Sequence, residues 1–360
     1  MSERTIRIGM LGCGTVGSAV VRMLGEHGDD IAMRAAVRLA VTRVAVRDAD
    51  RARDVPIPSE VFTTDLASIV ADPDIDVVLE LLGGTQPAKE LILASFSSGK
   101  PVVTANKEVL STVGKELFDA ADAAQRDLRF EAAVAGGIPL IAPLKESLAG
   151  ERVRRMLGIV NGTTNYVLTK MSEHGWTFED ALAEAQRLGY AEADPTADIE
   201  GFDAAAKCAI LASIAFNTRV VASDVYREGI ARITPQDIAD AARLGYVVKL
   251  LAIAELEDGE VSARVHPAMI PAAHPLAAVR DANNAVFVEG AKVGQLMFYG
   301  PGAGGDATAT SVIWRPVIEI SWPVHKSRNS RDSRSGPIST SRPRRRRGGG
   351  SVLSRSRFRR

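Results

Sequence analysis

The sequence predicts an α/β chain: a doubly wound parallel sheet first, then a second, α+β domain. Three observations predict it. A glycine-rich turn at Gly12–Gly17 joins a strand pattern to a helical one, strand and helix patterns alternate as far as about residue 136, and from Tyr246 to Gly300 strand-like runs are joined by short turn signals. Alternating strands and helices make a parallel sheet, whereas strands joined by short turns make an antiparallel one.

Ile6, Ile8 and Met10 alternate as a strand does, and Gly12, Gly14 and Gly17 then spell G-x-G-x-x-G ahead of a helical pattern from Ser18. This order suits a Rossmann-type dinucleotide site, where glycines let the backbone approach a pyrophosphate at a helix N-terminus. The plainer alternative is a tight turn with no ligand. Arg43–Asp48 reads as a second strand with Arg47 at its end, where a 2′-phosphate would prefer a cation; the alternative is a solvated charge. NADP is therefore favoured over NAD. The spacing from the glycines exceeds the usual ~20 residues, which implies an insertion near 27–40. The apolar run Ile75–Leu82 reads as a buried strand ending in Gly83-Gly84. A helix over 87–98, a strand over 101–104, a turn at 105–108, a helix over about 110–125 and the segment Arg129–Pro139 complete the alternation. Ligands of such sheets sit beyond the strand carboxyl ends, where Gly83, Gly84, Asn106 and Lys107 fall. Taken alone, Lys107 could equally be a surface lysine.

Val153–Val160 is a strand, and Asn161-Gly162-Thr163-Thr164-Asn165 opens a helix. Thr163 or Thr164 as its cap would leave N–H groups suited to a substrate carboxylate, or would simply cap the helix. Thr177–Asp180 starts a helix that stops at Gly189, and Thr234–Asp237 starts another. Between them lies Gly189–Lys207, with five carboxylates within twelve residues. Pro195 and Gly201 make its first part a loop, and a helical pattern resumes from Phe202. Asp203 and Lys207 are then one turn apart on one face. They are either a surface ion pair or a lysine held beside a carboxylate in a cleft.

The chain has 360 residues, a length for two or three domains, and 46% of them are hydrophobic, enough for ordinary globular cores. No apolar run approaches a membrane span, and the start reads as a strand rather than a signal peptide. Cys13 and Cys208 are the only cysteines, which fits a reducing cytoplasm and excludes a cysteine-based zinc site. The five histidines form no ligand-spaced cluster. The net charge of zero hides an asymmetry: residues 315–360 hold thirteen arginines and one lysine against Glu319 and Asp332, leaving the remainder strongly acidic.

Together the motifs resemble the homoserine dehydrogenase family. They are the stretches Leu11–Gly17, Val46–Asp48, Glu80–Gly84, Thr104–Glu108, Glu131–Pro139, Asn161–Asn165, Gly189–Pro195, Gly201–Lys207 and Gly300–Gly305, in family order across about residues 5–312. The resemblance implies NAD(P)-dependent interconversion of L-homoserine and L-aspartate 4-semialdehyde, a step towards threonine, methionine and isoleucine. It implies Lys207 as proton donor and acceptor oriented by Asp203, with Glu192 and Asp198 on the substrate ammonium. It places Gly189 against substrate through its backbone, and Lys107 between nicotinamide and substrate. Thr15, Val16, Arg47 and Gly304 would line the dinucleotide with Gly12, Gly14 and Gly17. A structural, sodium-like cation is implied at Glu131, Val134, Gly136 and Ile138, and a homodimer through the second domain. Oxidising an alcohol needs a base for the hydroxyl proton, and zwitterionic homoserine needs both carboxylates and a helix N-terminus, so the residues and the resemblance agree. The organisation implied is a nucleotide domain over 1–136, a substrate and dimerisation domain over 137–300, a glycine loop and returning helix over 301–314, and a disordered tail over 315–360.

The family pattern stops after about Ile313. The tail is rich in Ser, Arg, Gly and Pro, carries no trace of a regulatory domain and cannot form a core. It reads as the product of a frameshift: the codons of Trp314–Val317 respell Gly-Asp-Leu-Ser, the family's continuation, when the first base is dropped. Losing most of a terminal helix should uncover apolar surface at a cost of several kcal/mol. The competing readings are another small-acid dehydrogenase, a non-catalytic cofactor-binding protein, and a basic arm for nucleic acid.

Overall fold

The computed structural model describes residues 4–313; the tail, and with it the frameshift reading, lies outside the described residues. The first sheet is built from β1 (Arg4–Leu11), β2 (Val37–Ala45), β3 (Phe62–Thr63), β4 (Val77–Glu80), β5 (Val102–Thr104) and β6 (Leu128–Arg129), every neighbouring pair parallel, in the order β3-β2-β1-β4-β5-β6. Between the strands run α1 (Thr15–Ala35), α2 (Leu66–Ala71), α3 (Ala88–Ser97) and α4 (Lys107–Ala124). The strand order reverses between β1 and β4, and this is where a doubly wound sheet opens a crevice beyond its carboxyl ends. Leu11, Glu80 and Thr104 lie in register at those ends.

The second sheet has the order β12-β11-β7-β9-β10-β8, from β7 (Val153–Ile159), β8 (Tyr226–Arg227), β9 (Tyr246–Glu257), β10 (Glu260–Pro271), β11 (Asn283–Gly290) and β12 (Gly294–Pro301). It is antiparallel except where β8 joins β10. The helices of this half are α5 (Gly162–His174), α6 (Phe178–Arg187), α7 (Thr196–Ile199), α8 (Phe202–Ala215) and α9 (Pro235–Arg243). α8 buries the alanine-rich face predicted for it, with Ala204, Ala205, Cys208 and Ala209 almost inaccessible. Finally α10 (Gly305–Val312) returns to the first sheet: Ala309, Val312 and Ile313 join Ile8, Met10 and Val20 in one apolar cluster.

Three expectations change. The extra length expected at 27–40 is mostly helix: α1 continues to Ala35, because Ile31, Ala32 and Ala35 keep its apolar face buried while Gly25 lets it pass Pro56. The turn expected at 105–108 is the start of α4, since the Asn106 side chain accepts from the Val109 N–H and begins the helix at Lys107. The cap of α5 is Asn161, not Thr163 or Thr164: its Oδ1 accepts from the Thr164 N–H at 2.8 Å. By contrast, the Thr234–Asp237 start forms both reciprocal cap bonds, with Pro235 in the first turn.

Candidate active site

The glycine turn is built as its spacing requires. Gly12 has φ +102°, and a Cβ there would lie 2.7 Å from the Leu81 carbonyl oxygen. At Gly17 it would meet the Gly12 carbonyl at 2.7 Å, so this glycine lets α1 close onto the turn. Around Gly14 nothing stands within 4 Å: this face is open to a ligand. Thr15 and Val16 form the first turn of α1. The start of α10 arrives beside them, because a Cβ at Gly305 would come 3.1 Å from the Thr15 carbonyl oxygen. Two helix N-termini, with Gly304 (φ +112°) leading the second, thus converge on one turn. Arg47 is exposed two residues beyond Ala45, whose carbonyl accepts from the Gly12 N–H at 2.9 Å.

Lys207 and Asp203 are not a surface pair. The Lys207 Nζ donates to Asp203 Oδ2 at 2.8 Å and to the Val160 carbonyl at 2.7 Å, with side chains only 12% and 5% exposed. The other Asp203 oxygen pairs with Lys107, which opens α4 in the nucleotide-binding half. Burial alone would raise the Asp203 carboxyl, but the two ammonium groups and their hydrogen bonds outweigh it and hold it far below the usual carboxylate range. For Lys107, burial acts downward and is overcome by the charge and hydrogen bond of Asp203, with Asp198 and Glu108 behind, so its value rises. One buried anion therefore holds two cations from different halves of the molecule. An ammonium has three donors, and Lys207 spends two on the protein, leaving one for a substrate oxygen.

Asn161 is the residue that sequence reasoning missed. Its Nδ2 donates to Asp203 Oδ2 at 2.9 Å and to Asp198 Oδ1 at 2.7 Å, joining the two carboxylates while its Oδ1 caps α5. The Thr163 hydroxyl shares its one proton between the Tyr190 carbonyl at 2.6 Å and Asp198 Oδ2 at 3.0 Å, tying down the loop beside Gly189. The structure thus brings Lys207, Asp203, Lys107, Asp198 and Thr163 into one network. Glu192 and Gly189 stand outside it: Glu192 is exposed and engages Gln186 only through its main-chain carbonyl, and Gly189 is an exposed left-handed residue ending α6.

At the implied cation turn, the Glu131 carboxylate accepts from the N–H groups of Leu140, Ile141 and Ala142 at 2.5, 2.7 and 2.8 Å. An ion there would rest mainly on main-chain oxygens, which suits a hard monovalent cation. Gly136 packs against Gly302, and Gly302 against the Asn284 amide, which is 1% exposed and has no hydrogen-bond partner among the described residues. The Asn284 amide is thus a buried polar group beside this turn to which an ion held there would offer a partner.

Residues 12–131 match a family model described as the homoserine dehydrogenase NAD binding domain, and residues 139–314 one described as homoserine dehydrogenase. Homoserine dehydrogenase of Mycobacterium tuberculosis is 51% identical over 337 residues, covering 92% of this chain and 76% of that protein. The Bacillus subtilis enzyme is 46% identical, covering 86% and 72%. The crystal structure of a homoserine dehydrogenase from Thiobacillus denitrificans superposes with a TM-score of 0.84 at 44% identity, covering 88% of this chain and 73% of that one. A hyperthermophilic archaeal homoserine dehydrogenase mutant in complex with NADPH gives 0.74 at 26% identity, covering 89% and 99%. With its parallel sheet, open glycine turn and shared buried carboxylate, this chain belongs to the homoserine dehydrogenase family of NAD(P)-dependent oxidoreductases.

Proposed function

We propose that the chain interconverts L-homoserine and L-aspartate 4-semialdehyde, with Lys207 as the group that takes and returns the hydroxyl proton. The observation that carries this is the pair of ammonium groups, Lys107 and Lys207, on the buried Asp203. The dinucleotide, when bound, supplies or accepts the hydride. In the oxidative direction the uncharged Lys207 amine removes the proton from the substrate hydroxyl, and in the reductive direction its ammonium returns it to the forming alkoxide. Asp203 orients Lys207 and holds Lys107 at the junction of the two halves. Asp198 and Glu192 take the substrate ammonium, the Gly189 backbone borders the substrate, and Thr163 sets Asp198.

Gly12, Gly14, Thr15, Val16, Gly17 and Gly304 hold the pyrophosphate, and Arg47 meets a 2′-phosphate, so NADP is the preferred dinucleotide. A sodium-like cation stabilises the turn through Glu131, Val134, Gly136 and Ile138, and a melt that is higher in sodium than in tetramethylammonium would detect it. The boundaries stay as read from the sequence: 1–136, 137–300, 301–314 and the tail. The working form is a cytoplasmic homodimer serving threonine, methionine and isoleucine synthesis. Resequencing the gene decides the frameshift reading of the tail.

The experiment is NADPH oxidation with aspartate semialdehyde. Lys207→Ala should keep a cooperative melt, lowered by the lost ion pair, and lose about 10²–10⁴-fold in kcat. Wild-type turnover in that variant removes the mechanism.

A further inference from the structure

Glu80 is a carboxylate the mechanism above does not use. It ends β4 in register with Thr104 of β5, is completely buried, and has no basic side chain within ion-pair distance among the described residues. Its surroundings consist of donors. Leu82 N–H reaches Oε1 at 2.9 Å, the Thr104 hydroxyl reaches Oε2 at 2.5 Å, and Asn106 Nδ2 approaches Oε1 at 3.4 Å. The same Asn106 amide donates to the Gly84 carbonyl at 2.7 Å, and its oxygen caps α4. Thr104 in turn accepts from the Asn106 N–H at 2.9 Å. Three orphan-prone donors at two strand ends converge on one carboxyl group, whose pKa burial raises although these hydrogen bonds oppose it, and the residue after Asn106 is Lys107. Burying a carboxylate without a cation is costly, so its persistence here needs a reason.

We propose that Glu80 is a positioning residue for Lys107: its carboxylate locks the carboxyl ends of β4 and β5 through Thr104 and Asn106, and thereby fixes the start of α4 so that the Lys107 ammonium lands on Asp203. This deepens the active-site reading and rests on it. Only a carboxylate offers acceptors to every donor; an amide of the same size must turn an N–H towards one of them. Freed from that lock, α4 keeps its body, because Val109, Leu110 and Leu117 are buried, but its first turn loses its setting.

The test is a double-mutant cycle on Glu80→Gln and Lys107→Ala, read as kcat, KM for both substrates and the thermal melt. Acting through Lys107, Glu80→Gln lowers kcat tenfold or more in the wild-type background and changes it less than twofold in the Lys107→Ala background, with a cooperative melt in both. Should the glutamine variant not fold, Thr104→Val, which removes both hydrogen bonds of that hydroxyl and keeps the Glu80 carboxyl group, is expected to show the same coupling. Equal losses in the two backgrounds, or no loss in either, overturn the proposal while leaving Lys107 in place. Wild-type turnover in Lys107→Ala alone overturns the active-site reading of Lys107 instead, and Glu80 loses its route to the reaction with it.

Discussion

Asp203 faces two lysines while almost sealed from water, so its charge state and the positions of both ammonium groups are linked. Because its carboxyl is held below the usual range in the folded chain, it adds stability above the unfolded-state pKa of about 4, and that contribution disappears as pH falls through the lower folded value. The stability gap between wild type and Asp203→Asn, measured by urea unfolding, should therefore be flat from neutrality to about pH 4 and shrink below it. A gap unchanged at pH 3 would contradict this. Asn161→Ala should raise KM for the amino-acid substrate, since it frees Asp198 and Asp203 together, and should cost about 1 kcal/mol as a lost cap. Unchanged KM would show that the bridge is idle. The Asp203–Lys207 pairing was legible because four-residue spacing is a local rule. Lys107 was placed near the substrate only by the resemblance, and Asn161 joining two carboxylates not at all, since long-range meetings leave no periodicity.

At the level of the strand–turn–helix unit, the three glycines separate structure from binding. Gly14→Ala meets no atom within 4 Å, so its melt should match wild type while its affinity for the dinucleotide drops. Gly17→Ala drives a methyl to 2.7 Å from the Gly12 carbonyl and should lose both stability and affinity. Calorimetric titration with NADPH beside thermal melts separates the two, and a Gly14→Ala variant with intact affinity would place the pyrophosphate elsewhere. Replacing Arg47 with Ala should weaken NADPH far more than NADH in steady-state assays. Equal effects would return Arg47 to the status of a solvated charge. The elements themselves were mostly readable: β1, β4, β5, α8 and the capped start of α9 appear where apolar pattern and end signals put them. The extent of α1 was not read from the sequence, where 27–40 was only extra length; the helix carries Gly25, Gly28 and the Asp29–Asp30 pair on its way to Ile31 and Ala35. Asn106 likewise looks like a turn residue until its side chain is seen capping α4.

For the whole molecule, two sheets with different grammars are joined where 130–142 leaves the first and 301–305 returns to it. The parallel, doubly wound sheet followed from the alternation of elements, but its strand order and the insertion of β7 between β11 and β9 are set by packing and no local signal announces them. α10 is the closing piece of the first sheet's core. Val312 is fully buried there, so Val312→Asp should cost more than about 3 kcal/mol in urea unfolding and weaken NADPH binding through the displaced Gly304. A variant as stable as wild type would show that α10 is dispensable.

That docking has a consequence for how the chain comes into being. During translation the segment covering Ile8, Met10 and Val20 leaves the ribosome last of the described elements, long after the strands it must seal. Until residue 313 has emerged, the nascent nucleotide half lacks the cover of Ala309, Val312 and Ile313, and the apolar side chains they seal stay open to association.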